Sequence, residues 1–463
     1  MMVPLILALF LFDFDSHFTE ETMRLDFFHT GTYNQETVSL DKILHDGPWS
    51  GNPSQPVDQL NRGAYRFEIH SKTGTLLYSR GFSSIFGEWQ TTGEAKVRSA
   101  TFHESIRFPW PKNHVLVKLF KRQSENVFVP IWNMELDPKN RQINRATRAK
   151  EENTRALLSN GDPKNKVDVV LLGDGYSRND REKFFSDALR LIDSFFLEEP
   201  FKVRKSDFNF WGVFTPSANN GISRPHHGIY QRSMLETQYS SFDSERYILS
   251  TANKIIRDTS STVPYDFTII LINENTYGGG GIFGLYSTCP VDSKQSKYLF
   301  IHEFGHHFAA LADEYFTSDV AYEMEENLKH SEPWEPNITA NPSRKNLKWA
   351  HLVAEDTPCP TPWPKKSYET LGQKVREQRN SLRKSHASED DLDQLFSFQA
   401  NEETSLFEQE AFYKKTGVFE GGGYYSNGIY RPSMDCIMFS RNPVGFCDVC
   451  QEAINQMIDL YTK

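Results

Sequence analysis

From residue 167 onwards, short apolar runs alternate with segments of helical periodicity. Three of the runs are long and apolar enough to be strands buried on both faces of a sheet, and the segments after them carry apolar residues at three- and four-residue intervals. Strands that alternate with helices favour a mostly parallel sheet with helices packed on it. The predicted elements are, in order, the strand VDVVLLGD, the helix REKFFSDALRLIDSFF, the strand DFNFWGVFTP, a helix over 244–257, the strand YDFTIILINE, a strand within GGGGIFGLYS and the helix KYLFIHEFGHHFAALADEY.

The first part of the chain has a different pattern. Residues 21–136 read as short strands, such as YRFEIHSK and HVLVKLFKR, in which apolar and polar residues alternate between Gly, Pro, Asn and Ser breaks. This spacing predicts an all-β sandwich. Residues 137–160 are polar and charged and are interpreted as a linker, which leaves 161–463 as a second, catalytic domain. We therefore predict a multidomain α+β chain of 463 residues.

Residues 3–12, VPLILALFLF, form the one strongly apolar run, and at ten residues it is too short to cross a bilayer as a helix. We interpret residues 1–20 as a possible signal segment, with a buried first strand as the alternative, because no Lys or Arg precedes the run. The expected location is secreted, periplasmic or at the cell surface. The formal net charge of −10 argues against binding nucleic acid.

The residues that point most directly to chemistry are His302, Glu303 and His306, in the segment FIHEFGHHF. On a helix, positions i and i+4 share one face, so both imidazoles can bind one Zn²⁺ ion. Glu303 adjoins the first His and can accept a proton from a water activated by the metal. Acting as general base, it can then pass this proton to the leaving amine of a cleaved peptide bond.

A catalytic zinc ion usually has three protein ligands and one open position. Asp313, in LADEY, is the predicted third ligand, provided that the helix ends near residues 309–310 and the chain turns back. Glu314 is one alternative, and a glutamate in the following segment YEMEEN is another (Glu323, Glu325 or Glu326). His307 follows the motif directly and is interpreted as a bystander.

The segment HEFGHHFAALADEY resembles the zinc-binding segment of the IgA-peptidase family of metallopeptidases, the igalysin type grouped with the metzincins. Further similar segments are VVLLGDGYS, PSANNGISRP, PNITANP, NLKWAHL, GGGYYSNGIYRPSMDCIMFS and FCDVC. The resemblance covers most of residues 165–460, and the strand-rich N-terminal region is similar to the β domain that often precedes this catalytic domain. It implies a zincin-type catalytic domain, one catalytic Zn²⁺ ion and peptide or protein substrates.

The resemblance also implies site residues. His302 and His306 are implied as ligands, Glu303 as general base and Asp313 as third ligand, and Met438 falls where metzincins place the methionine turn beneath the metal. The sequence departs from the family at Ala310, where a glycine is usual. A left-handed turn there costs a residue with a Cβ on the order of 1 kcal/mol.

Substrate contacts are predicted by the same resemblance. An edge strand in metzincin-like enzymes pairs with an extended peptide, which implicates Gly284, Leu285 and Tyr286 after the glycine run. The glycines allow close approach or loop motion, with a flexible hairpin connection as the alternative. Tyr425 and Tyr430 are candidates for the donor that stabilises the developing oxyanion.

The chain has five cysteines, of which the last three cluster in sequence (Cys289, Cys359, Cys436, Cys447 and Cys450). A second, structural zinc ion is one interpretation of that cluster. Only three thiols are near one another and no histidine lies between residues 387 and 463, so a disulfide or reduced core thiols are favoured. The triplet at Asn337 matches a glycosylation acceptor, a pattern that is common by chance.

The predicted function is therefore zinc-dependent hydrolysis of peptide bonds, with no covalent intermediate. Two alternatives stay open: a non-catalytic binding protein that keeps the peptidase fold, and a zinc amide hydrolase that acts on cell-wall peptides. The sequence predicts no integral membrane span and leaves the oligomeric state open.

Overall fold

The N-terminal part of the computed structural model is a β domain built from two antiparallel sheets. The structure describes residues 13–147, 153–316, 330–385 and 387–463. One sheet has the strand order β2-β1-β5 and the other β4-β3-β6-β7. The elements are α1 (Phe14–His17), β1 (Phe18–Gly31), β2 (Glu36–Pro48), β3 (Tyr65–Ser71), β4 (Leu76–Phe82), α2 (Ile85–Gln90), α3 (Gly93–Val97), β5 (Ala100–Pro111), β6 (Val115–Arg122) and β7 (Phe128–Leu136).

Alternation of side chains along these strands produces one shared core. Leu25 and Phe27 of β1, Phe67 of β3 and Val117 of β6 are buried together in it, so the inward faces of both sheets pack against each other. The predicted separate N-terminal β domain is confirmed. Phe14 and Phe18 are buried in the same core, so the part of the predicted signal segment after residue 12 belongs to this domain. The apolar run over 3–12 lies outside the described residues.

The second domain contains a six-stranded, mostly parallel sheet of order β12-β13-β11-β9-β10-β8. The pairs β9–β10, β9–β11 and β11–β13 are parallel, and the outermost pairs are antiparallel. Its elements are β8 (Thr154–Leu158), β9 (Val167–Asp174), α4 (Arg181–Phe195), β10 (Phe208–Val213), α5 (Asn253–Ser260), β11 (Phe267–Ile272), β12 (Gly280–Ile282), β13 (Tyr286–Pro290) and α6 (Ser296–Ala309).

Strand β9 shows why the sheet is covered on both faces. Its residues are all buried, and they alternate between two cores: Val169 and Leu171 pack with α4 and α6, whereas Val170 and Leu172 pack on the side of α5. This two-sided burial explains the continuous apolar run that the sequence shows. The predicted mostly parallel sheet with helices packed on it is confirmed.

Two predicted boundaries differ in the structure. Strand β8 lies inside the segment interpreted as a linker, where it pairs antiparallel with β10 and extends the sheet. The helix predicted over 244–257 is shorter, since α5 begins only at Asn253. Before it, Tyr247 and Leu249 form isolated β-bridges with Gly279 and Gln238, so this stretch pairs with other segments instead of forming helical turns.

The chain after α6 closes the domain around that helix. A two-stranded hairpin lies next to the end of α6, and the last helix packs on α6 from the core side. These elements are α7 (Lys365–Lys384), α8 (Glu389–Phe407), β14 (Phe419–Gly422), β15 (Tyr425–Arg431) and α9 (Asp448–Thr462). Among the described residues, every helix falls short of the length and apolar character that crossing a bilayer requires.

The two domains are joined by buried polar contacts. Arg62 donates to the carbonyl oxygens of Ala309 and Ala453, at the end of α6 and within α9. Arg24, fully buried among carboxylates of its own domain, also pairs with Asp258 of α5 at 2.6 Å. The N-terminal domain therefore contacts the helix that carries the histidine motif directly.

Candidate metal centre

The two motif histidines lie one turn apart on α6, and each ring is oriented by a backbone carbonyl. Nδ1 of His302 lies 2.9 Å from the carbonyl oxygen of Ile437, and Nδ1 of His306 lies 2.6 Å from that of Leu311. A carbonyl oxygen only accepts, so Nδ1 carries the proton in both neutral rings. Each Nε2 is therefore left with a free lone pair, and the two Nε2 atoms are 3.2 Å apart.

Asp313 reaches the same point because α6 ends where it does. Ala310 follows the helix with φ 57° and ψ 32°, a left-handed conformation that reverses the chain. For a residue with a Cβ this costs roughly 1–2 kcal/mol, so the turn that a glycine would make is made here by an alanine. Downstream, Asn337 holds the backbone by accepting from the Ala312 N–H and donating to the Ala312 carbonyl oxygen.

Two imidazole nitrogens and one carboxylate oxygen thus converge on one point. Burial lowers the pKa of His306, but the facing Asp313 raises it more, to about 9, so this point attracts a cation, a proton or a metal ion. Oδ1 of Asp313 is 3.1 Å from Nε2 of His302 and 3.2 Å from Nε2 of His306. A tetrahedral ion with ligands at about 2.0–2.1 Å holds neighbouring ligand atoms roughly 3.3 Å apart. Oδ1 is buried without a hydrogen-bond donor. Converging lone pairs at this spacing fit a bound cation, and imidazole with carboxylate suits zinc.

The other oxygen of Asp313 is held by Tyr424, whose hydroxyl donates to Oδ2. This leaves Oδ1 directed at the two histidines. Burial alone would raise the pKa of Asp313, but the facing imidazoles of His306 and His302 hold it well below its usual value. The carboxylate is therefore ionised, as a metal ligand must be.

Glu303 lies beside the three acceptors and is itself buried, with 7% of its surface exposed. Burial raises the pKa of its carboxyl, opposed by His302 and His306. Its carboxylate packs against β12, since a Cβ on Gly279 would lie 2.9 Å from Oε1. Of the neighbouring His307, both ring nitrogens are buried without a hydrogen-bond partner, and its ring packs on Phe267. His307 is therefore directed into the core.

The predicted methionine turn lies beneath α6. Met438 is fully buried, and its sulfur would be 3.0 Å from a Cβ placed on Gly305, on the turn between the two ligand histidines. The backbone of the same turn contacts the site twice: the Ile437 carbonyl orients His302, and the Met438 carbonyl accepts the Glu314 N–H at 2.8 Å. The turn therefore fixes both a ligand ring and the segment after Asp313.

The alternatives for the third ligand lie elsewhere. Glu314 is fully buried and turned away from the histidines towards Cys450, whose thiol lies 3.2 Å from Oε1. The segment with Glu323, Glu325 and Glu326 lies outside the described residues.

Of the two tyrosines predicted as oxyanion donors, the structure brings one to the site. Tyr425 lines the cavity that also contains His306 and Asp313, with its ring 4.2 Å from that of His330. Tyr430 instead packs with Trp349 and Val418 on the other side of the hairpin, and its backbone pairs with Thr339.

Three other tyrosines contact the site and were not predicted: Tyr298, Tyr315 and Tyr424. The hydroxyl of Tyr298 lies 3.2 Å from Nδ1 of His302. Tyr424 supports Asp313, and the ring of Tyr315 stacks at 6.4 Å from that of His302 while its hydroxyl accepts from Arg246 at 3.0 Å. Tyr315 directly follows LADE, so its proximity could have been inferred from the segment. Tyr424 is brought by the hairpin, and nothing local in the sequence distinguishes it from Tyr425.

The substrate residues predicted from the glycine run do not face the site. Gly284 and Leu285 form the turn after β12, and Tyr286 lies on β13, an inner strand, with its hydroxyl bonded to Ser250. The strand at the sheet edge is β12, four residues earlier. Its glycines allow close packing: a Cβ on Gly281 would lie 2.3 Å from the Glu303 carbonyl oxygen. The edge strand therefore runs directly along α6.

Two cavities meet at His302 and Glu303. One, of about 590 Å³, lies along β12 and is also lined by Ser83, Glu88 and Thr91 of the N-terminal domain. The other, of about 390 Å³, extends towards α7, where Arg376, Arg379 and Arg383 line it. The three converging acceptors thus lie within an open cleft with two differently lined sides.

Comparison with known proteins gives two matches. A family model described as IgA Peptidase M64 matches residues 156–458, and a model described as Peptidase M64 N-terminus matches residues 13–133. The first spans well over half of the chain and contains every residue of the converging site. No curated protein matches the chain.

Proposed function

This chain belongs to the IgA peptidase M64 family, and on that premise we propose that it is a zinc metallopeptidase. The family confirms the resemblance seen in the sequence and makes the chain a member of a peptidase family. The observation that carries the zinc assignment is the convergence of His302, His306 and Asp313 beside Glu303. Three protein ligands leave one position open, which is the arrangement of catalytic rather than structural zinc.

Bound zinc supplies a Lewis acid that polarises the scissile carbonyl and lowers the pKa of a coordinated water towards about 7. The protein's own residues then have separate roles. His302 and His306 bind through Nε2, with Nδ1 fixed by backbone carbonyls. Asp313 contributes Oδ1 while Tyr424 holds Oδ2. Such outer partners orient ligands and raise their basicity.

Glu303 is the proposed general base. It adjoins His302, lines both cavities and is directed at the point where they meet. It takes a proton from the attacking water and passes it to the leaving amine. Burial raises the pKa of the Glu303 carboxyl. Its proton affinity is thereby closer to that of the water and the amine between which it transfers the proton. Tyr425 is the proposed donor to the developing oxyanion.

The substrate is proposed to be an extended peptide that lies along β12 and crosses the site between the two cavities. The cavity on the α7 side is lined by six arginines and one lysine against four carboxylates, and this positive excess favours an acidic side chain in that part of the substrate. Ser83, Glu88 and Thr91 give the N-terminal domain a direct role in the other part of the cleft.

The test compares the wild-type protein with Glu303→Gln on a mixture of peptides, after both are loaded with zinc. Glutamine is the matched replacement because it keeps the shape of the glutamate side chain. Residue 303 is not a proposed zinc ligand, so both proteins should contain the same amount of zinc. Loss of the general base should reduce the cleavage rate about 10²–10⁴-fold. Equal rates would contradict the assignment of Glu303. If the zinc-loaded wild type leaves peptides intact, release of fragments from peptidoglycan supports the cell-wall hydrolase, and inactivity on both supports a binding protein.

A further inference from the structure

A second group of ligand-type side chains lies immediately behind the first. Glu314, Cys436, Cys447 and Cys450 each offer one atom, and these four atoms all lie within 4.8 Å of one another. The Sγ atoms of Cys436 and Cys450 are 3.9 Å apart, and Sγ of Cys450 is 3.2 Å from Oε1 of Glu314. All five cysteines of the chain are free. The sequence brings only three thiols together, and the fold adds a fourth donor.

The carboxylate in this group is incompletely satisfied. Glu314 is 0% exposed, and Asn337 donates to Oε1 at 3.0 Å. Oε2 is buried with no hydrogen-bond donor. A buried carboxylate without full pairing is costly unless it is paired or binds a metal. The unpartnered oxygen and the adjoining sulfurs therefore indicate a missing positive charge at this place.

Two of the cysteines lie at the start of the last helix. Cys447 is the residue before α9 and Cys450 lies in its first turn, so a Cys-x-x-Cys pair opens the helix. The N–H of Cys447 donates to Sγ of Cys436 at 3.4 Å. For zinc–sulfur bonds of about 2.3 Å, tetrahedral neighbours lie roughly 3.8 Å apart, close to the spacing of Cys436 and Cys450.

We propose that Glu314, Cys436, Cys447 and Cys450 bind a second zinc ion in a closed, structural site. Thiolate ligands select zinc over magnesium or calcium, and four protein ligands leave no open position for a substrate. This site does not depend on the peptidase activity proposed above.

The second ion would hold three parts of the catalytic domain together. Glu314 follows Asp313 directly, and its N–H donates to the Met438 carbonyl. Cys436 precedes Met438 by two residues, and the remaining two ligands lie at the start of α9, Cys447 just before the helix and Cys450 in its first turn. The ion would thereby fix the segment that follows Asp313 and the segment of Met438 against the start of the last helix.

The experiment counts metal in the purified full chain after growth with zinc and removal of excess ion. Two zinc ions per chain are expected in the wild type. One is expected both in the double variant with His302→Ala and His306→Ala and in Cys450→Ser. Cys359→Ser is the matched control, because Cys359 is outside the group, and it should keep two. A single zinc ion in the wild type that the double histidine variant loses would overturn the proposal.

Cobalt spectroscopy keeps the proposal testable if Cys450→Ser fails to fold. Cobalt(II) bound by thiolates gives intense near-ultraviolet charge-transfer bands, which histidine and carboxylate ligands do not give. The cobalt-loaded double histidine variant should show these bands at wild-type intensity. Their absence, or a disulfide between Cys436 and Cys450 found by mass spectrometry of the freshly purified protein, would refute the site. An inactive peptidase that still binds two zinc ions would refute only the proposed function.

Discussion

Replacing Arg62 with alanine removes the side chain that ties the N-terminal domain to the end of the active-site helix. Its guanidinium donates to the carbonyl oxygens of Ala309 at 3.1 Å and Ala453 at 2.9 Å, and to Oε1 of Gln456 at 2.6 Å. Arg62 is 4% exposed. Burial lowers its pKa to about 10, so it is still charged at pH 7.

Removing the Arg62 donors does not affect the three acceptors equally. Ala309 is the last residue of α6, and its carbonyl has no donor within the helix. The Ala453 carbonyl lies inside α9, where helical bonding continues, and the Gln456 side chain is only part-buried and can turn to water. Hydrogen bonds from a charged donor contribute about 1.5–3 kcal/mol each. One full loss and two partial losses give a decrease of about 2–4 kcal/mol in the free energy of unfolding.

Calorimetry and urea unfolding measure this decrease, which for a chain of 463 residues corresponds to a Tm lowered by roughly 2–4 °C. Arg62→Lys keeps the charge but not the forked arrangement of donors, so its stability should lie between those of the wild type and Arg62→Ala. Arg141→Ala, at an exposed position, is the control and should stay within about 0.5 kcal/mol of the wild type. If Arg62→Ala is as stable as this control, the contact does not join the domains as described.

Three further changes probe the sheet and the site. Burial and Asp266 raise the pKa of Asp168 from 3.8 to about 8. The folded protein therefore holds a proton on this carboxyl, and the free energy of unfolding falls as pH rises from about 4 to about 8. Urea unfolding of Asp168→Asn across that range should show a smaller fall, and an unchanged pH profile would contradict the assignment. Gly281→Ala places a Cβ 2.3 Å from the Glu303 carbonyl oxygen and should lower the free energy of unfolding by about 1–3 kcal/mol. Denaturation measures this decrease, and a wild-type value would contradict the close packing of β12 on α6. Tyr424→Phe removes the donor to Oδ2 of Asp313 and should weaken zinc binding about 10–100-fold in chelator competition, whereas wild-type affinity would show that Asp313 needs no such support.

The helical part of the metal centre was predictable because its geometry is local. His302 and His306 share a helix face by spacing alone, and the end of the helix near residue 309 follows from where the apolar pattern stops. The turn at Ala310 was harder to foresee, since alanine gives no left-handed signal. The structure shows that contacts further along the chain, such as those of Asn337 with Ala312, hold the backbone after this turn.

The remaining parts depend on contacts between residues far apart in sequence. Tyr424 reaches Asp313 across 111 residues and Glu314 reaches Cys450 across 136. No periodicity in the sequence connects residues so far apart. The sequence therefore did not identify Tyr424 as the support of Asp313, or Glu314 as the fourth donor beside the cysteines. Asn337 matched a glycosylation acceptor in sequence, whereas the structure buries it completely between Ala312 and Glu314.

The glycine run is another segment whose structure the sequence predicted only in part. The sequence indicated close approach or flexibility but not the register of the strand. The edge strand begins at Gly280, so Gly284, Leu285 and Tyr286, which were predicted to lie on it, lie in the following turn and on the inner strand β13. A strand has a period of two, and a small error in register moves every side chain to another face.

The most direct test of the catalytic zinc assignment is anomalous diffraction at the zinc edge from crystals of the full chain soaked in a zinc salt. A peak is predicted at bonding distance, about 2.0–2.2 Å, from Nε2 of His302, Nε2 of His306 and Oδ1 of Asp313, with the Glu303 carboxylate beside it but not bound. A map with no peak among these three atoms, while the protein stays folded, would contradict the account.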